Sequence, residues 1–180
     1  MLKFNLRMGI GAPASPIVNN GDEVKRGQKI ADFDPEQLSV PIYSSVNGKV
    51  NEVTDEAIYI EKTDDNKDYL KIEKKDNLAD VAREAGIIGL GGAGFPTYVK
   101  LNTDLKGEGY LLINASECEP ILEHNIAQIK EDPQKFIDAV KLVKEGINAK
   151  MAFIAMKIIH TEEIKALTKL LKENNITDIR

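Results

Sequence analysis

The sequence is poor in the residues that build covalent or metal frameworks. Of 180 residues one is cysteine, two are histidine and none is tryptophan. Cys118 alone can neither close an internal disulfide nor hold an iron–sulfur cluster or a structural zinc. His124 and His160 stand too far apart in sequence to show a metal-ligand spacing. A reducing, cytoplasmic setting is the default expectation. No run approaches the roughly 20 apolar residues that span a bilayer. Residues 1–10 hold Lys3 and Arg7 but no apolar stretch of the signal-peptide kind. The net charge is -5 and no basic cluster offsets it locally, so a nucleic-acid partner is not expected.

What is present is an α+β pattern in two parts. Over the first 72 residues, Val24, Ile30, Val40, Ile42, Val46, Val50 and Val53 alternate with polar residues and are interrupted by Gly27, Pro41 and Gly48. Asn19-Asn20-Gly21-Asp22 is a turn signal, residues 57–60 form another short strand, and residues 69–72 close the region. Past Asp76 the period changes to that of helices: Leu78, Val81, Ala82 and Ala85 share a face, and Gly86 suits the position beyond a helix end. A strand at residues 110–114 follows, then a helix at 120–130. A further helix opens on Asp132-Pro133 and runs to about Glu145. Residues 151–156 read as a buried strand, Thr161 as the cap of a last helix, and residues 176–180 as the start of another strand. The alternation implies a parallel α/β layer that stops inside a unit, as expected of the front part of a longer protein.

The first motif is Gly21-Asp22-x-Val24-x-x-Gly27-Gln28-x-Ile30 with Ser44-Ser45-Val46-x-Gly48-x-Val50. It resembles the biotinyl/lipoyl type of barrel-sandwich domain. The carrier lysine that this resemblance implies at the hairpin tip is missing: the tip, residues 31–39, contains no lysine, and Lys29 and Lys49 fall within strand motifs. Lipoylation and biotinylation are therefore rejected, and a packing or docking module is expected.

The most informative stretch is Gly89-Leu90-Gly91-Gly92-Ala93-Gly94-Phe95-Pro96-Thr97. Such a run lets backbone N–H groups approach an anion, and a helix opening near Pro96 would add the positive end of its dipole. A P-loop is excluded because Phe95-Pro96 stands where Lys-Ser/Thr is required. A Rossmann G-x-G-x-x-G is spelled by Gly89, Gly91 and Gly94, but a helical segment, not a strand, leads into it. Downstream, Asn114-Ala115-Ser116-Glu117-Cys118-Glu119-Pro120 delivers polar groups at the carboxyl end of an apolar strand, where open α/β sheets bind ligands.

The glycine stretch followed by Lys100, and the Asn-Ala-Ser-Glu-Cys-Glu-Pro segment behind it, together resemble the FMN- and NADH-binding family of the complex I 51-kDa subunit, and its RnfC branch in particular. The family's opening histidine/proline-rich segment is absent, a departure closer to the RnfC-like protein associated with proline reductase in anaerobes. The resemblance implies a barrel-sandwich domain over residues 1–74 and the front of a Rossmann-like α/β FMN domain over residues 75–180. It implies that Gly89, Gly91, Gly92, Ala93 and Gly94 cradle the phosphate and ribityl chain of FMN, with Lys100 neutralising the phosphate or polarising the flavin. Asn114, Ser116 and Glu117 would hydrogen-bond the flavin, Phe95 would stack on the dinucleotide, and Glu119 would lie on the nicotinamide side.

By the same resemblance, NAD(H) exchanges electrons with FMN, and 4Fe-4S clusters held outside these residues take them onward. The partners would be other subunits of an Rnf-type or reductase complex, on the inner face of the cell membrane. Half a flavin site is expected here, so the isolated chain should fold but hold FMN weakly. Two other readings stand beside this one. A non-catalytic docking module of a redox complex predicts no flavin. A plain dinucleotide-binding domain predicts a strand leading directly into Gly89.

Overall fold

Period-two patterning builds the first part of the chain and helical periodicity the second. The computed structural model describes every residue except Gly91, Cys118, Glu119 and Pro120. It divides into two units, Met1–Lys100 and Leu101–Arg180.

In the first unit β1 (Leu2–Asn5), β7 (Ala57–Lys62), β6 (Gly48–Val53) and β3 (Glu23–Val24) form an antiparallel sheet in that order. A three-stranded antiparallel sheet holds β2 (Ser15–Pro16), β4 (Lys29–Asp32) and β5 (Ile42–Tyr43) in the order β2-β4-β5. Val24, Val50, Ile58 and Ile60 of the first sheet and Ile30, Ala31 and Ile42 of the second share one core. Among the described residues the two sheets make a sandwich and not one closed barrel. The register slips between Val50 and Glu52, a bulge that bends β6. Residues 69–72 form no strand; they lie along the β unit, with the Leu70 amide donating to the Arg26 carbonyl (2.8 Å).

Helix α1 (Leu78–Glu84) then packs on the same unit. Asn77 caps it by accepting from the Asp80 amide. Its other end closes as a Schellman turn: Gly86 (φ +65°) and Ile87 donate to the carbonyls of Arg83 and Ala82. The one charged side chain that α1 buries is Glu84. Its carboxylate meets the Lys29 ammonium at 3.0 Å and accepts from the Tyr43 hydroxyl at 2.8 Å. The same hydroxyl also donates to the Glu84 carbonyl at 2.6 Å.

In the second unit β8 (Tyr110–Asn114) and β9 (Met151–Ala155) run parallel, paired from Tyr110 with Met151 to Asn114 with Ala155. Between them lie α3 (His124–Glu131) and α4 (Pro133–Gly146), and α5 (Thr161–Glu173) follows β9. Ile126, Ile129, Ile137, Val140 and Leu167 of these helices bury Ala152, with Leu111, Ile113 and Ile154 packed alongside. Asp132 caps α4 by accepting from the Lys135 amide, with Pro133 at the first position, as expected.

Four boundaries differ from expectation. α3 opens at His124, not at residue 120, because Ile121 takes a left-handed φ of +75° that no α-helix accommodates. Thr161 is the first residue of α5 rather than its cap; His160 holds the cap position without a side-chain bond, and Glu162 and Glu163 offset the dipole instead. The strand expected at 151–156 stops at Ala155. The strand expected at 176–180 is a single parallel bridge, Ile179 to Ala152.

The Glu84 network sets an acid limit on the first unit. Burial opposes ionisation of Glu84, but the bonds from Lys29 and Tyr43 outweigh it and hold the carboxyl below its ordinary value of 4.5. Burial likewise opposes the Lys29 charge, and the bonds to Glu84 and Asp32 raise it above 10.5. The pair therefore stabilises fully between those values. Its contribution fades as pH falls through the lowered carboxyl value, or rises through the raised ammonium one. Glu84→Gln is expected to destabilise the first unit by about 1–3 kcal/mol near neutrality. In urea melts the gap to the unaltered chain should narrow as pH falls below 4.5 and on through the lowered carboxyl value. A gap that persists there contradicts the assignment.

Candidate functional site

The glycine stretch follows the Schellman turn of α1, so no strand leads directly into Gly89, which counts against the plain dinucleotide-binding reading. Its ends are stitched by an antiparallel bridge between Ile88 and Pro96. The Gly89 amide donates to the Phe95 carbonyl and the Thr97 amide to the Ile87 carbonyl, both at 2.9 Å. Pro96 is fully buried at the base, and Leu90, 94% exposed, stands at the outer turn. The helix expected to open near Pro96 is α2 (Thr97–Leu101), only five residues long. Its dipole is correspondingly small, so the loop's own amides are left as the main anion-attracting feature.

The glycines divide into two kinds. Gly94 has φ +67°, and a Cβ there would lie 2.6 Å from the Cα of Gly9. Its identity is fixed by packing. Gly92 is under no such constraint: a Cβ on it would meet nothing within 4 Å. Gly92 and Ala93 are exposed, and among the described residues no backbone acceptor meets their amides. Bare backbone facing open space fits a ligand read by its anionic oxygens at close range. Phe95 is half-buried beside it, with the Lys100 ammonium 5.8 Å from its ring centre. Gly91 lies outside the described residues.

The second motif sits in the other unit. Asn114 ends β8, and its side-chain carbonyl accepts from the Ser116 amide at 3.1 Å, an Asx-type turn that carries the chain off the sheet. Ser116 Oγ lies 3.4 Å from the Ala155 carbonyl at the end of β9. Glu117 is buried, and its carboxylate accepts from the Asn125 amide in the first turn of α3 at 3.3 Å. It therefore anchors that helix start as a cap supplied from a distance, with His124 Nδ1 3.9 Å away. A cleft of about 680 Å³ opens at this end of the sheet, lined by Asn114, Asn125, Gln128, Lys135 and Phe136 among others. Glu119 and Cys118 lie outside the described residues.

Thus Gly89, Gly92, Ala93, Gly94, Phe95 and Lys100 come together in the first unit, and Asn114, Ser116 and Glu117 in the second. Sequence reasoning passed over Gly9 and the Lys29–Glu84–Tyr43 network. The signal for Glu84 was its position three residues after Val81, next to the apolar stripe of α1. For Gly9 the signal was the closely spaced pair Gly9 and Gly11.

Protein families carry the same two parts. The chain belongs to the family of the Nuo51 FMN-binding domain, which residues 82–180 match, and residues 1–74 match the RnfC barrel sandwich hybrid domain. The C component of the proton-translocating ferredoxin:NAD(+) oxidoreductase complex of Clostridium ljungdahlii is 35% identical over 193 residues, covering 95% of this chain and 41% of that protein. The Na(+)-translocating counterpart from Acetobacterium woodii is 31% identical, over 99% of this chain and 44% of its own length. The C component of the ion-translocating oxidoreductase complex of Vibrio cholerae is 24% identical over 96% of this chain. The chain spans less than half the length of these curated relatives. The family matches leave off and resume between residues 74 and 82, whereas the compact units part after Lys100. Residues 82–100, glycine loop included, belong by sequence to the FMN-binding domain and by packing to the β unit.

Two outcomes test these assignments in thermal melts. Gly94→Ala should cost about 1–3 kcal/mol from backbone strain and collision, and Gly92→Ala less than about 0.5 kcal/mol. Equal costs would remove the distinction between the packing glycine and the open one. Glu117→Ala should lose about 1 kcal/mol with the cap while Glu117→Gln, which keeps an acceptor oxygen, loses less.

Proposed function

We infer that this chain is the front part of an electron-transfer flavoprotein subunit of the RnfC type, working between NAD(H), FMN and iron–sulfur centres held outside these residues. The observation that carries it is the open, Cβ-free backbone at Gly92 within a stretch matched by the FMN-binding family. The names of the relatives, components of ferredoxin:NAD(+) oxidoreductase complexes, support the same chemistry.

When bound, FMN would supply the chemistry that converts hydride transfer into single-electron transfer. The chain's own residues do the rest. Backbone amides of the glycine loop, those of Gly92 and Ala93 foremost, meet the phosphate and ribityl oxygens. Lys100, at the end of α2, supplies a compensating positive charge. Asn114 and Ser116 present polar groups at the carboxyl end of β8, in the stretch, residues 75–180, read as the front of a Rossmann-like FMN domain. Glu117 offers one carboxylate edge while the other holds α3. Phe95 gives a flat apolar surface for a dinucleotide; a nicotinamide-side role for Glu119 rests on the family resemblance alone. Residues 1–74 serve as the barrel-sandwich partner. Among the described residues no helix is long and apolar enough to cross a membrane. The protein would meet its membrane complex peripherally, on the inner face, through other subunits.

The test is an FMN titration followed by flavin fluorescence and visible absorbance. One sample is this chain; the other is a chimera that continues past Arg180 with the Clostridium ljungdahlii relative. Melting confirms that both fold. The chimera is expected to bind FMN at least about tenfold more tightly, a difference of about 1.4 kcal/mol, and to be bleached by NADH. Tight, NADH-bleachable FMN on the 180-residue chain would refute the half-site reading. No flavin on either would replace it with the docking module.

A further inference from the structure

The β unit grips the glycine loop at its crown and at both flanks. At the crown, Gly9 and Gly94 touch backbone to backbone: a Cβ on Gly9 would lie 2.3 Å from the Gly94 oxygen and 2.7 Å from its Cα. Beside them the Ile10 amide donates to the Ala93 carbonyl at 2.7 Å. On the entering flank, Lys29 and Tyr43 hold Glu84, the last residue of α1. A Cβ on Gly86 would come within 2.7 Å of the Pro41 carbonyl, so the turn into the loop rests on the β4–β5 hairpin. On the leaving flank, the Arg83 guanidinium lies 3.9 Å from the centre of the Phe33 ring and 4.8 Å from that of Tyr98. Phe33 belongs to the same hairpin, and Tyr98 to α2 directly behind the loop.

We propose that Gly9 and Arg83 are positioning residues for the glycine loop. The hairpin that a carrier domain would use for a swinging arm here fastens the loop's two flanks, and Gly9, in the connection between β1 and β2, sets its crown. The β unit is then a working wall of the site. The claim rests on the flavin reading only for its ligand; the shape of the loop is set by the β unit whether or not flavin is the ligand. Gly9 and Gly94 are brought together across more than 80 residues of sequence by contacts that leave no room for a side chain. A loop held this way presents its exposed amides preorganised, so less ordering is required when an anion arrives.

Amide hydrogen exchange and FMN titration on the full chain and on the chimera decide this. Gly9→Ala and Arg83→Met are compared with Ile60→Val, a core change in β7 away from the loop. Both positioning variants are expected to speed exchange at Gly89 and Thr97, whose amides close the loop, by about tenfold or more relative to β6 and β7 amides. FMN affinity of the chimera should fall by a similar factor. Ile60→Val should lower the melting temperature without that local signature. Loop exchange unchanged in both variants, or raised only in step with the sheet, overturns the proposal. Should the unaltered chimera bind no FMN while loop exchange responds as expected, the flavin reading fails and the positioning role stands. Arg83→Met guards against a Gly9→Ala chain that does not fold.

Discussion

Everything the glycine loop can do depends on backbone touching backbone at Gly9 and Gly94. At that spacing neither residue can carry a side chain, and Gly94 must also adopt a left-handed φ. The contact is short because the Ile10 amide bonds the Ala93 carbonyl at the next position. One side of the loop is thereby committed to the protein. The opposite side, at Gly92 and Ala93, is left as exposed peptide. The proposed anion site needs such an asymmetry: one face locked so that the other stays open without collapsing.

The buried charges serve the same end. An ion pair taken out of water stabilises little in itself, and its geometry matters more than its count. Glu84 satisfies its carboxylate with Lys29 and Tyr43, and its carbonyl with the Tyr43 hydroxyl as well. Three groups from two strands and a helix end therefore fix where α1 stops. Five residues later the glycine loop begins. Displacing the end of α1 would displace the loop, so a network with small net stability carries a large positional consequence.

The elements that sequence made legible are those with local causes. β8 follows from the apolar run Tyr110-Leu-Leu-Ile, α4 from Asp132-Pro133, and the end of α1 from Gly86; each is decided by residues within a few positions. The misplaced starts have distant causes. α3 begins where Glu117 supplies its cap and Ile121 has already turned left-handed, and neither can be read from helical periodicity. The α5 start has two glutamates where a Thr cap was the stronger local signal. At the site, the glycine motif was plain in the sequence, yet its division into packing and open glycines was not. That division is created by Gly9, about 80 residues upstream.

The mismatch between family boundaries and packing units follows from this. By sequence, residues 82–100 go with the FMN-binding domain; by packing, they go with the β unit. The β4–β5 hairpin takes part in that packing. Here Phe33 and Pro41 of that hairpin, with Gly9 upstream, all press on the loop or its flanks. A hairpin that must hold Arg83 against Phe33 and brace Gly86 cannot also swing.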